Sequence, residues 1–534
     1  AVGAAAGASL GGGVLGLSSV VIGRAVGATL GRVIDQSILG GGSEPVETGR
    51  VDRLRLTGAG SGSAIPRVFG RMRVGGQVIW CSDFVEDVNV SGGGGKGAPK
   101  APEVREYSYS VSLALGLCEG VIGRVGRIWA DGQEIEPGSL TMRVYDGGAD
   151  QQPDPRMQAE LGPDVVPAYR GLAYVVIEDL ALGRFGNRIP QFSFEVIRPE
   201  QADADGPRRD LSSHVRAVAM MPGTGEYALA TTPVRIGNDP GTSRYANVNT
   251  PTGQTDFAAS LDALTGELPR CAATSLVVSW FGNDLRCDRC EVRPKVDQAA
   301  ADGQELAWRA GGIGRSDAEV LARRDGQAIY GGTPADASVI EAIRALRAAG
   351  QAVTFYPFIL MDQDEGNGLP DPYGSAEQPA LPWRGRITLP SAPGQAGSPD
   401  GSAAADDAVA AFFGTAEASD FSIGGHQTTE AAANAPLDGG FVPINPYAQG
   451  DPADDPQADP IQYLGPDPDA WGYRRFILHY AHLCVRAGGV DAFCIGSEMR
   501  GVTQIRGAAG FPAVAELIRL AADVRAILGP DCKI

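Results

Sequence analysis

Cysteine is scarce in this chain, and positive charge is in deficit. The 534 residues include 8 cysteines, far below the density of a secreted disulfide framework. Lysine and arginine total 45 against 64 aspartate and glutamate residues, which leaves a formal net charge of −19. Such a charge repels a phosphate backbone and disfavours non-specific nucleic-acid binding. We therefore expect a protein made in a reducing compartment that does not take DNA as its ligand.

The chain also lacks the short motifs of nucleotide chemistry. We find no phosphate-binding P-loop and no dinucleotide fingerprint after a strand. Glycine and proline contribute 74 and 37 residues without a Gly-X-Y period, and hydrophobic residues make up 43%, so the composition indicates a globular but loop-rich protein. The length predicts two to four domains.

Residues 1–47 are rich in glycine and alanine, and the first charged residue is Arg24. Gly3, Gly7 and Gly11 recur at every fourth position, which would place them on one face of a helix and allow close backbone contact. The pattern favours a buried oligomer-core or hairpin helix. The alternative is a membrane-active segment over residues 1–42, although the basic region that opens a typical signal peptide is absent from this sequence.

Residues 48–205 show the period-two pattern of β-strands. Gly75-Gly76 lies between two strand-like segments and predicts a tight hairpin. From Tyr107 to Leu117, large apolar residues alternate with small ones, which is typical of a strand packed on one face. A flexible loop is expected at 91–100. Further expected features are a turn at Asp131-Gly132 and strands at Tyr174–Ile177 and Gln191–Ile197.

Three blocks of this region carry a family resemblance: IPRVFGRMRVGGQVIW (65–80), YSYSVSLALGLCEGVIGRVGRIWADGQEI (107–135) and YRGLAYVVIEDLALGRFGNRIPQFSFEV (169–196). They resemble the amino-terminal hub region of large tail-tip proteins from long-tailed phages and gene transfer agents. The resemblance implies a β-rich hub that forms a homotrimer with tail-tip and tail-tube partners at the distal end of a virion tail. DNA would be met only in transit, and acidic channel walls would not retain it.

Five arginines of the same region leave two interpretations open. They could form a basic ring, or they could belong to solvated strand faces. The residues are Arg67, Arg71, Arg73, Arg124 and Arg127.

After a connecting region at 206–265, the pattern changes to alternating strands and helices. Thr333-Pro334 predicts a helix start and Gly350 its end. The apolar run Ala352–Leu360 then predicts a parallel strand covered on both faces. Additional strands are expected at Ser275–Trp280, at Val490–Ile495 and from Cys532, with helices at Tyr473–Ala487 and Phe511–Leu528.

These elements predict part of a (β/α)-type barrel over residues 266–534, with a long irregular insertion at about 362–472. The insertion has one helix-like piece near 403–413. Its later part, 451–470, is acidic and proline-rich, and we expect a surface loop there. The fold class expected for the whole chain is therefore multidomain α+β: a helical glycine-rich segment, β-rich hub domains and an incomplete TIM-barrel-like domain.

A second set of blocks supports this interpretation. They resemble the glycoside-hydrolase-like barrel embedded in gene transfer agent tail proteins, which implies contact with glycans of the host cell envelope. The blocks are PFILMD (357–362), LPDPYG (369–374), PWRGRITL (382–389), SPDG (398–401), RRFILHYAHLC (474–484) and VDAFCIGSEMRGVTQIR (490–506).

Glu498 is the main catalytic candidate, because it follows a predicted barrel strand at the end where such barrels place their chemistry. Glycoside hydrolysis requires two carboxyl groups. Asp362 also ends a strand and is a visible alternative, although we expect the usual partner beyond Ile534. The competing interpretation gives Glu498 a cap or salt-bridge role near Arg500 and Arg506.

Three clusters contain metal-ligand residue types, but none has the full spacing of a metal site, and we assign neither a metal nor a cofactor. One pair has half of a zinc or redox motif, one pair lies three apart on a helix, and one loop has calcium-type oxygens without a glutamate at position 12. They are Cys287 and Cys290; His479 and His482; and Asp362, Asp364, Glu365 and Asn367.

The sequence thus predicts a structural tail-tip hub that closes a tail tube and mediates attachment to the host envelope. The alternative is an envelope polysaccharide or peptidoglycan glycosidase that uses Glu498.

Overall fold

The computed structural model describes residues 64–91, 104–135, 137–198, 211–223, 225–237, 244–250, 253–423 and 461–534, with strand pieces at 13–14, 17–18, 46–48 and 426–427. The chain divides into two compact units, Ala1–Gly206 and Pro207–Ile534. Both units combine helix and sheet, which confirms the α+β class.

The first unit is built mainly from strands. A helix, α1 (Pro155–Leu161), begins after Asp154, whose carboxylate accepts hydrogen bonds from the N–H groups of Arg156 and Met157. Single 3-10 turns lie at Pro137–Ser139 and Gly183–Phe185. The strands are β1 (Gly13–Val14), β2 (Leu17–Ser18), β3 (Val46–Thr48), β4 (Gly70–Gly75), β5 (Gln77–Cys81), β6 (Val85–Ser91), β7 (Val104–Glu119), β8 (Arg124–Ala130), β9 (Gln133–Ile135), β10 (Thr141–Tyr145), β11 (Leu172–Ala181) and β12 (Phe192–Arg198).

Two sheets of this unit enclose a common core. The larger sheet has the order β10-β11-β7-β3, with β5 and β6 also paired to β7, and the smaller sheet has the order β4-β12-β8-β9. Most pairings are antiparallel, as between β11 and β7. Side chains from both sheets fill the space between them, among them Leu113, Leu115, Ile177, Phe194 and Val196.

The long strand β7 is covered on both faces along its second half, where the sequence predicted one covered face. Every residue from Val111 to Cys118 is buried. The large residues, such as Leu115, face the core between the sheets. On the other face, Ala114 packs with Met157 of α1 and with Tyr174. The small residues therefore reflect close packing rather than exposure to solvent.

The predicted hairpin at Gly75-Gly76 is wrong. β4 pairs with β12 in the smaller sheet, whereas β5 pairs with β7 in the larger one. Gly76 lies where the chain passes from one sheet to the other, and a Cβ there would lie 3.0 Å from Phe194 and 3.3 Å from Leu115. The glycine is required for close packing at this crossing, not for a hairpin turn. The turn at Asp131-Gly132 is confirmed, with φ values of 50° and 85°.

The helix predicted at residues 1–47 is not found where the structure describes this segment. Gly13–Val14 and Leu17–Ser18 form a short antiparallel pair, and Val46–Thr48 pairs with β7. Dense glycine disfavours helix, which offers a physical reason for the difference. The rest of the segment and most of the predicted loop at 91–100 lie outside the described residues.

The second unit contains most of the helices. They are α2 (Asp256–Glu267), α3 (Asp336–Ala348), α4 (Ala403–Phe413), α5 (Tyr473–Arg486), α6 (Arg500–Thr503) and α7 (Pro512–Leu528), with 3-10 turns at Leu211–Ser213, Arg315–Asp317, Arg384–Arg386 and Ala418–Asp420. The strands are β13 (Ala217–Met220), β14 (Arg235–Ile236), β15 (Arg244–Tyr245), β16 (Ala273–Gly282), β17 (Val292–Arg293), β18 (Lys295–Val296), β19 (Arg309–Ala310), β20 (Ile313–Gly314), β21 (Glu319–Val320), β22 (Arg323–Arg324), β23 (Gln327–Ala328), β24 (Ala352–Met361), β25 (Phe421–Ile423), β26 (His426–Gln427), β27 (Ile461–Tyr463) and β28 (Ala492–Phe493).

A parallel sheet organises this unit. β13, β16, β24 and β28 lie side by side in chain order, and each is parallel to its neighbour. Lys533 forms an isolated parallel bridge to Ala492, next to β28, at the position where the sequence predicts the opening of a strand. The segment predicted to connect the domains supplies both β13 and α2. This order of neighbouring parallel strands is that of one side of a (β/α) barrel.

The helix predicted from Thr333 begins later, at Asp336, with Ala335 as its N-cap. The Thr333 hydroxyl instead donates to the carbonyl of Ser279 over 3.0 Å and accepts from the N–H of Lys295 over 3.2 Å. Thr333 therefore ties the loop before α3 to β16 and β18. Tertiary hydrogen bonds have replaced the expected cap.

Helix α5 is enclosed by the unit. Its residues are buried from Tyr473 to Cys484, including two arginines and two histidines. The parallel sheet and α3 cover one side, and residues of the insertion cover another. The insertion is therefore more ordered than the sequence predicted: it contains the sheet β26-β25-β27 as well as α4. Ile461 is buried where a surface loop was expected, and residues 451–460 lie outside the described residues.

The crossing at Gly76 provides a stability test. We expect Gly76→Ala to lower the free energy of unfolding of the first unit by about 1–3 kcal/mol, because its methyl group crowds Phe194 and Leu115. Gly75→Ala is the matched control: no atom lies within 4 Å of an added Cβ there, and we expect a change within about 0.5 kcal/mol. Urea unfolding of the full chain, with hydrogen exchange at β5 and β12, would measure both. Equal effects of the two substitutions would contradict the packing argument.

Candidate functional site

The candidate site lies at the carboxyl ends of β24 and β28. Odd-numbered residues of β24, such as Phe355, are buried, and the Phe355 ring contacts Tyr480 of α5. The even-numbered residues Tyr356 and Phe358 are only partly buried and lie on the opposite face. In a barrel of this type that face lines the interior, and the loops after the strands carry the chemistry.

Glu498 occupies this end of the sheet with its side chain 52% exposed. Its Oε2 atom accepts a hydrogen bond from the indole Nε1 of Trp383 over 2.5 Å and lies 3.1 Å from Nη2 of Arg384. The Trp383 residue is itself 46% exposed. An accessible carboxylate beside an accessible aromatic ring is thus the main chemical feature of the site.

Arg384 is a buried residue that contacts both β24 and the backbone before Glu498. Its side chain is 5% exposed, and its guanidinium lies 3.6 Å from the centroid of the Phe358 ring. It also donates to the backbone oxygen of Ser497 over 3.1 Å and to its hydroxyl over 3.2 Å. The same hydroxyl contacts the Tyr356 hydroxyl. A buried cation and two strand residues therefore fix the backbone just before Glu498.

The backbone at Glu498 has φ 55°, in the left-handed region that residues with a Cβ seldom adopt. Such conformations cost free energy and persist only where surrounding contacts impose them. The Arg384 contacts to Ser497 supply that constraint. The conformation aims the carboxylate towards Trp383.

Asp362 lies at the end of β24 in a different environment. Its side chain is 3% exposed and pairs with Nζ of Lys295 over 3.1 Å, and its carboxylate also accepts from the N–H of Ala322 over 3.1 Å. Lys295 is 7% exposed and contacts Glu319 as well, over 3.0 Å. These contacts form an ion-pair network that joins β18, β21 and the end of β24, with Lys295 and Asp362 buried and Glu319 partly exposed.

The structure does not join the two predicted carboxylates. Among the described residues, Glu498 and Asp362 share no hydrogen-bond or ion-pair partner: Glu498 contacts Trp383 and Arg384, and Asp362 contacts Lys295 and Ala322. Arg500 and Arg506 do not pair with Glu498: Arg506 binds Asp400, with Nε 2.8 Å from Oδ2. Glu498 is therefore accessible to solvent beside Trp383 and Arg384, whereas the Asp362 side chain is buried and paired with Lys295.

Trp383, Arg384 and Lys295 were not identified as functional candidates from the sequence. Trp383 precedes Glu498 by 115 residues and Lys295 precedes Asp362 by 67, so no local spacing connects them. The one available signal is that Trp383 and Arg384 lie within a block that carries the family resemblance.

Cys287 and Cys290 are buried free thiols. Burial raises the pKa of each thiol to about 12. Both side chains belong to the apolar core of the second unit. A core role accounts for them.

The two histidines of α5 have separate partners. Nε2 of His479 lies 2.9 Å from the carboxylate of Asp336, and Nε2 of His482 lies 3.0 Å from the carbonyl oxygen of Ala418. The His482 ring also stacks on Phe421. Burial lowers the pKa of His482 to about 4. Both side chains thus satisfy packing and hydrogen bonds within the core.

The loop that resembles a calcium site is organised around a carboxylate instead. The N–H groups of Gly366 and Gly368 donate to Glu377 over 3.0 and 3.2 Å. Asp364 pairs with Arg324 over 2.5 Å, and the Asn367 amide donates to backbone oxygens. Across the described residues, no group of three or more His, Cys, Asp or Glu side chains is arranged to hold a metal ion.

The arginines of the first unit are largely paired. Arg67 pairs with Glu119 over 3.2 Å. Arg71 and Arg127 both contact Glu195, over 2.8 and 3.2 Å. Their hydrogen bonds lower the pKa of Glu195 to about 2. These contacts favour the interpretation of a solvated, ion-paired strand face. The described helices include none that is long and apolar enough to cross a bilayer.

Comparison with protein families finds a match for one part of the chain. Residues 471–534 match the family model described as "GTA TIM-barrel-like domain". The match begins at Trp471, includes α5, β28 and Glu498, and continues past α7 to Ile534. No curated protein matches the chain.

A search of solved structures finds a chain from "Virion of native gene transfer agent (GTA) particle". The sequences are 52% identical over 40% of this chain, and the match spans 45% of that chain, less than half of its length. The TM-score is 0.25, so the comparison gives no information about a shared overall arrangement. The printed descriptions of both matches name a gene transfer agent.

The buried His482 gives a prediction about pH. Its pKa of about 4 in the folded protein is below the ordinary value of 6.5, so the unfolded chain binds more protons between these values. The stabilisation is complete above pH 6.5 and is lost as pH falls towards 4, by up to about 1.4 kcal/mol per pH unit. We expect His482→Gln to remove this part of the pH dependence.

Urea midpoints at pH 7 and pH 5 would measure the effect. His214→Gln, which removes an exposed histidine instead of the buried one, is the matched control. A wild-type slope that persists in His482→Gln would contradict the assignment.

Proposed function

We propose that this chain is a structural protein of a gene-transfer-agent-like particle and forms the hub of its tail tip. The observation that carries the proposal is the match of residues 471–534 to the gene transfer agent TIM-barrel-like domain. That domain name refers to a particle that delivers DNA, so the proposed location of the chain is the virion.

The order of the two units supports the proposal. A β-sandwich unit comes first, and a unit with a parallel sheet comes second. The blocks that resemble tail-tip hubs lie in the first unit, and those that resemble the embedded barrel lie in the second. A hub that closes a tube needs sheet-rich domains around a channel, and it would be completed by two sister copies in a homotrimer.

The proposed partners follow from this position. Neighbouring tail-tip and tail-tube proteins would contact the first unit, host-envelope glycans would meet the second, and DNA would pass without being retained. The net charge of −19 suits passage rather than binding. Residues 1–42 remain a candidate for membrane contact, and leakage of liposomes by a peptide of this segment would test that role.

Labelling of particles tests the hub assignment. We expect an antibody against the first unit to decorate the distal end of the tail in electron micrographs, and the purified chain to assemble as three copies of 55.4 kDa by light scattering. An antibody against the major capsid protein would serve as the control. Label along the head, or absence of the chain from purified particles, would contradict the proposal.

A second function, cleavage of envelope glycans, is favoured by the geometry around Glu498. The carboxylate is accessible, it lies at the carboxyl end of a parallel strand, and Trp383 offers an exposed ring on which a sugar could stack. In this proposal Glu498 protonates the leaving oxygen, and a second carboxylate acts on the sugar.

Release of reducing sugar from peptidoglycan or envelope polysaccharide by the full chain tests this activity. We expect Glu498→Gln to lower the rate by about 10²- to 10⁴-fold, because it removes the proton donor. Glu365→Gln, which neutralises an exposed glutamate in the loop after β24, is the control and should leave the rate unchanged. No release from either substrate would leave the structural role alone.

A further inference from the structure

One end of the sandwich in the first unit opens into a cavity of about 500 Å³. It lies where β4 ends at Gly75, where the Asp131-Gly132 turn joins β8 to β9, and where β12 begins. The volume is within the range of ligand sites in proteins, and the end of a β-sandwich or barrel is a common place for such sites.

Several apolar side chains form one part of the cavity lining, which we call the floor: Val78, Leu115, Ile189 and Phe192. Leu115 and Phe192, which are 2% and 5% exposed, come from the two opposing sheets, and Val78 and Ile189 complete the apolar lining. These side chains can bury an apolar group without leaving a polar atom unsatisfied. This part of the lining can pack against an apolar side chain, while Arg73, Asp131, Gln191 and Ser193 make the rest of it polar.

The rim supplies one cation that lacks a carboxylate partner. Arg73 donates through Nε to the Ser193 hydroxyl over 2.9 Å, and its guanidinium lies 4.1 Å from the centroid of the Trp129 ring. These two contacts hold the side chain in place, and among the described residues no carboxylate pairs with it. A preorganised guanidinium is well suited to bind a carboxylate through two hydrogen bonds.

The nearby acid does not neutralise this cation. Asp131 is bound by Arg188 over 2.8 and 3.1 Å and by the N–H of Gln191 over 2.9 Å. Although burial alone raises it, these hydrogen bonds hold the pKa of Asp131 below its usual value. Asp131 is thus paired with Arg188, and Glu195, which lies opposite Arg73 in the β4–β12 register, is paired with Arg71 and Arg127, so neither acid neutralises Arg73.

The rim also leaves room for a second backbone. An added Cβ at Gly75 or Gly132 would meet no atom within 4 Å, in contrast to the crowded Gly76. The main chain of a partner segment can therefore approach the rim closely at these two positions. A peptide fits this arrangement better than a small free acid, because only a peptide uses the open rim as well as the floor.

We propose that this cavity binds a peptide segment of a partner protein that inserts an apolar side chain over Leu115 and Phe192 and places a neighbouring carboxylate against Arg73. The site lies in the first unit and does not involve Glu498. The glycosidase proposal can fail without affecting it.

Fluorescence anisotropy with two labelled peptides tests the site on the full chain. The probes are acetyl-Gly-Phe-Glu-Gly-amide and the same peptide with Gln in place of Glu. We expect the Glu peptide to bind about fivefold to tenfold more tightly, because its charged hydrogen bonds to Arg73 are lost with Gln. Arg73→Gln should make the two affinities equal.

Arg67→Gln is the matched control, because it removes one exposed positive charge from the same unit but lies outside the cavity lining. It should preserve the preference for the Glu peptide. Equal binding of both peptides by the wild type, or an unchanged preference in Arg73→Gln, would overturn the proposal. Binding of 4-phenylbutyrate as tightly as the Glu peptide would also overturn it, since the peptide backbone would then contribute nothing.

Discussion

The enclosed helix α5 imposes the strongest constraint on the second unit. Polar groups that water does not reach must find partners within the protein. Arg474 is fully buried and reaches Asp523 over 2.6 Å and the carbonyl of Ala416 over 2.8 Å. Arg475 lies between the rings of Trp471 and Tyr463, at 3.6 and 4.1 Å, and donates to three backbone oxygens. The insertion, Gly311 and α7 supply these partners, which leave Nη1 of Arg474 and Nε of Arg475 as the guanidinium nitrogens without one among the described residues.

Much of this unit could be predicted because its apolar residues follow clear periods. Helices α5 and α7 and the parallel strand β24 depend on local pattern, and their predicted positions agree with the structure to within a few residues. The hairpin at Gly75-Gly76 was predicted wrongly, since a glycine pair can mark either a turn or a crossing between sheets, and the sequence alone does not distinguish a positive φ from close packing. The helix start predicted at Thr333 was also wrong, because the Thr333 hydroxyl makes tertiary hydrogen bonds instead of capping the helix.

The candidate site was only half predictable, for a related reason. Glu498 follows a recognisable strand, so its position at the carboxyl end could be inferred from the chain. Trp383 and Arg384 reach it from a distant turn in the insertion, and Lys295 reaches Asp362 from another strand. The partner of a carboxylate therefore determines whether that carboxylate is accessible or held in a buried ion pair. In both cases the partner is distant in the sequence, so the local pattern does not reveal it.

The enclosure of α5 also bears on the order in which a growing polypeptide can mature. The sheet strands β13, β16 and β24, helix α3 and the described part of the insertion all precede α5 along the chain, so vectorial synthesis delivers the walls before the helix that fills them. Asp523, which neutralises Arg474, comes 49 residues later. Until α7 leaves the ribosome, the guanidinium of Arg474 has partners only from the insertion, Glu417 at 3.4 Å and the carbonyl oxygen of Ala416 at 2.8 Å, and the helix lacks its contact with Asp523.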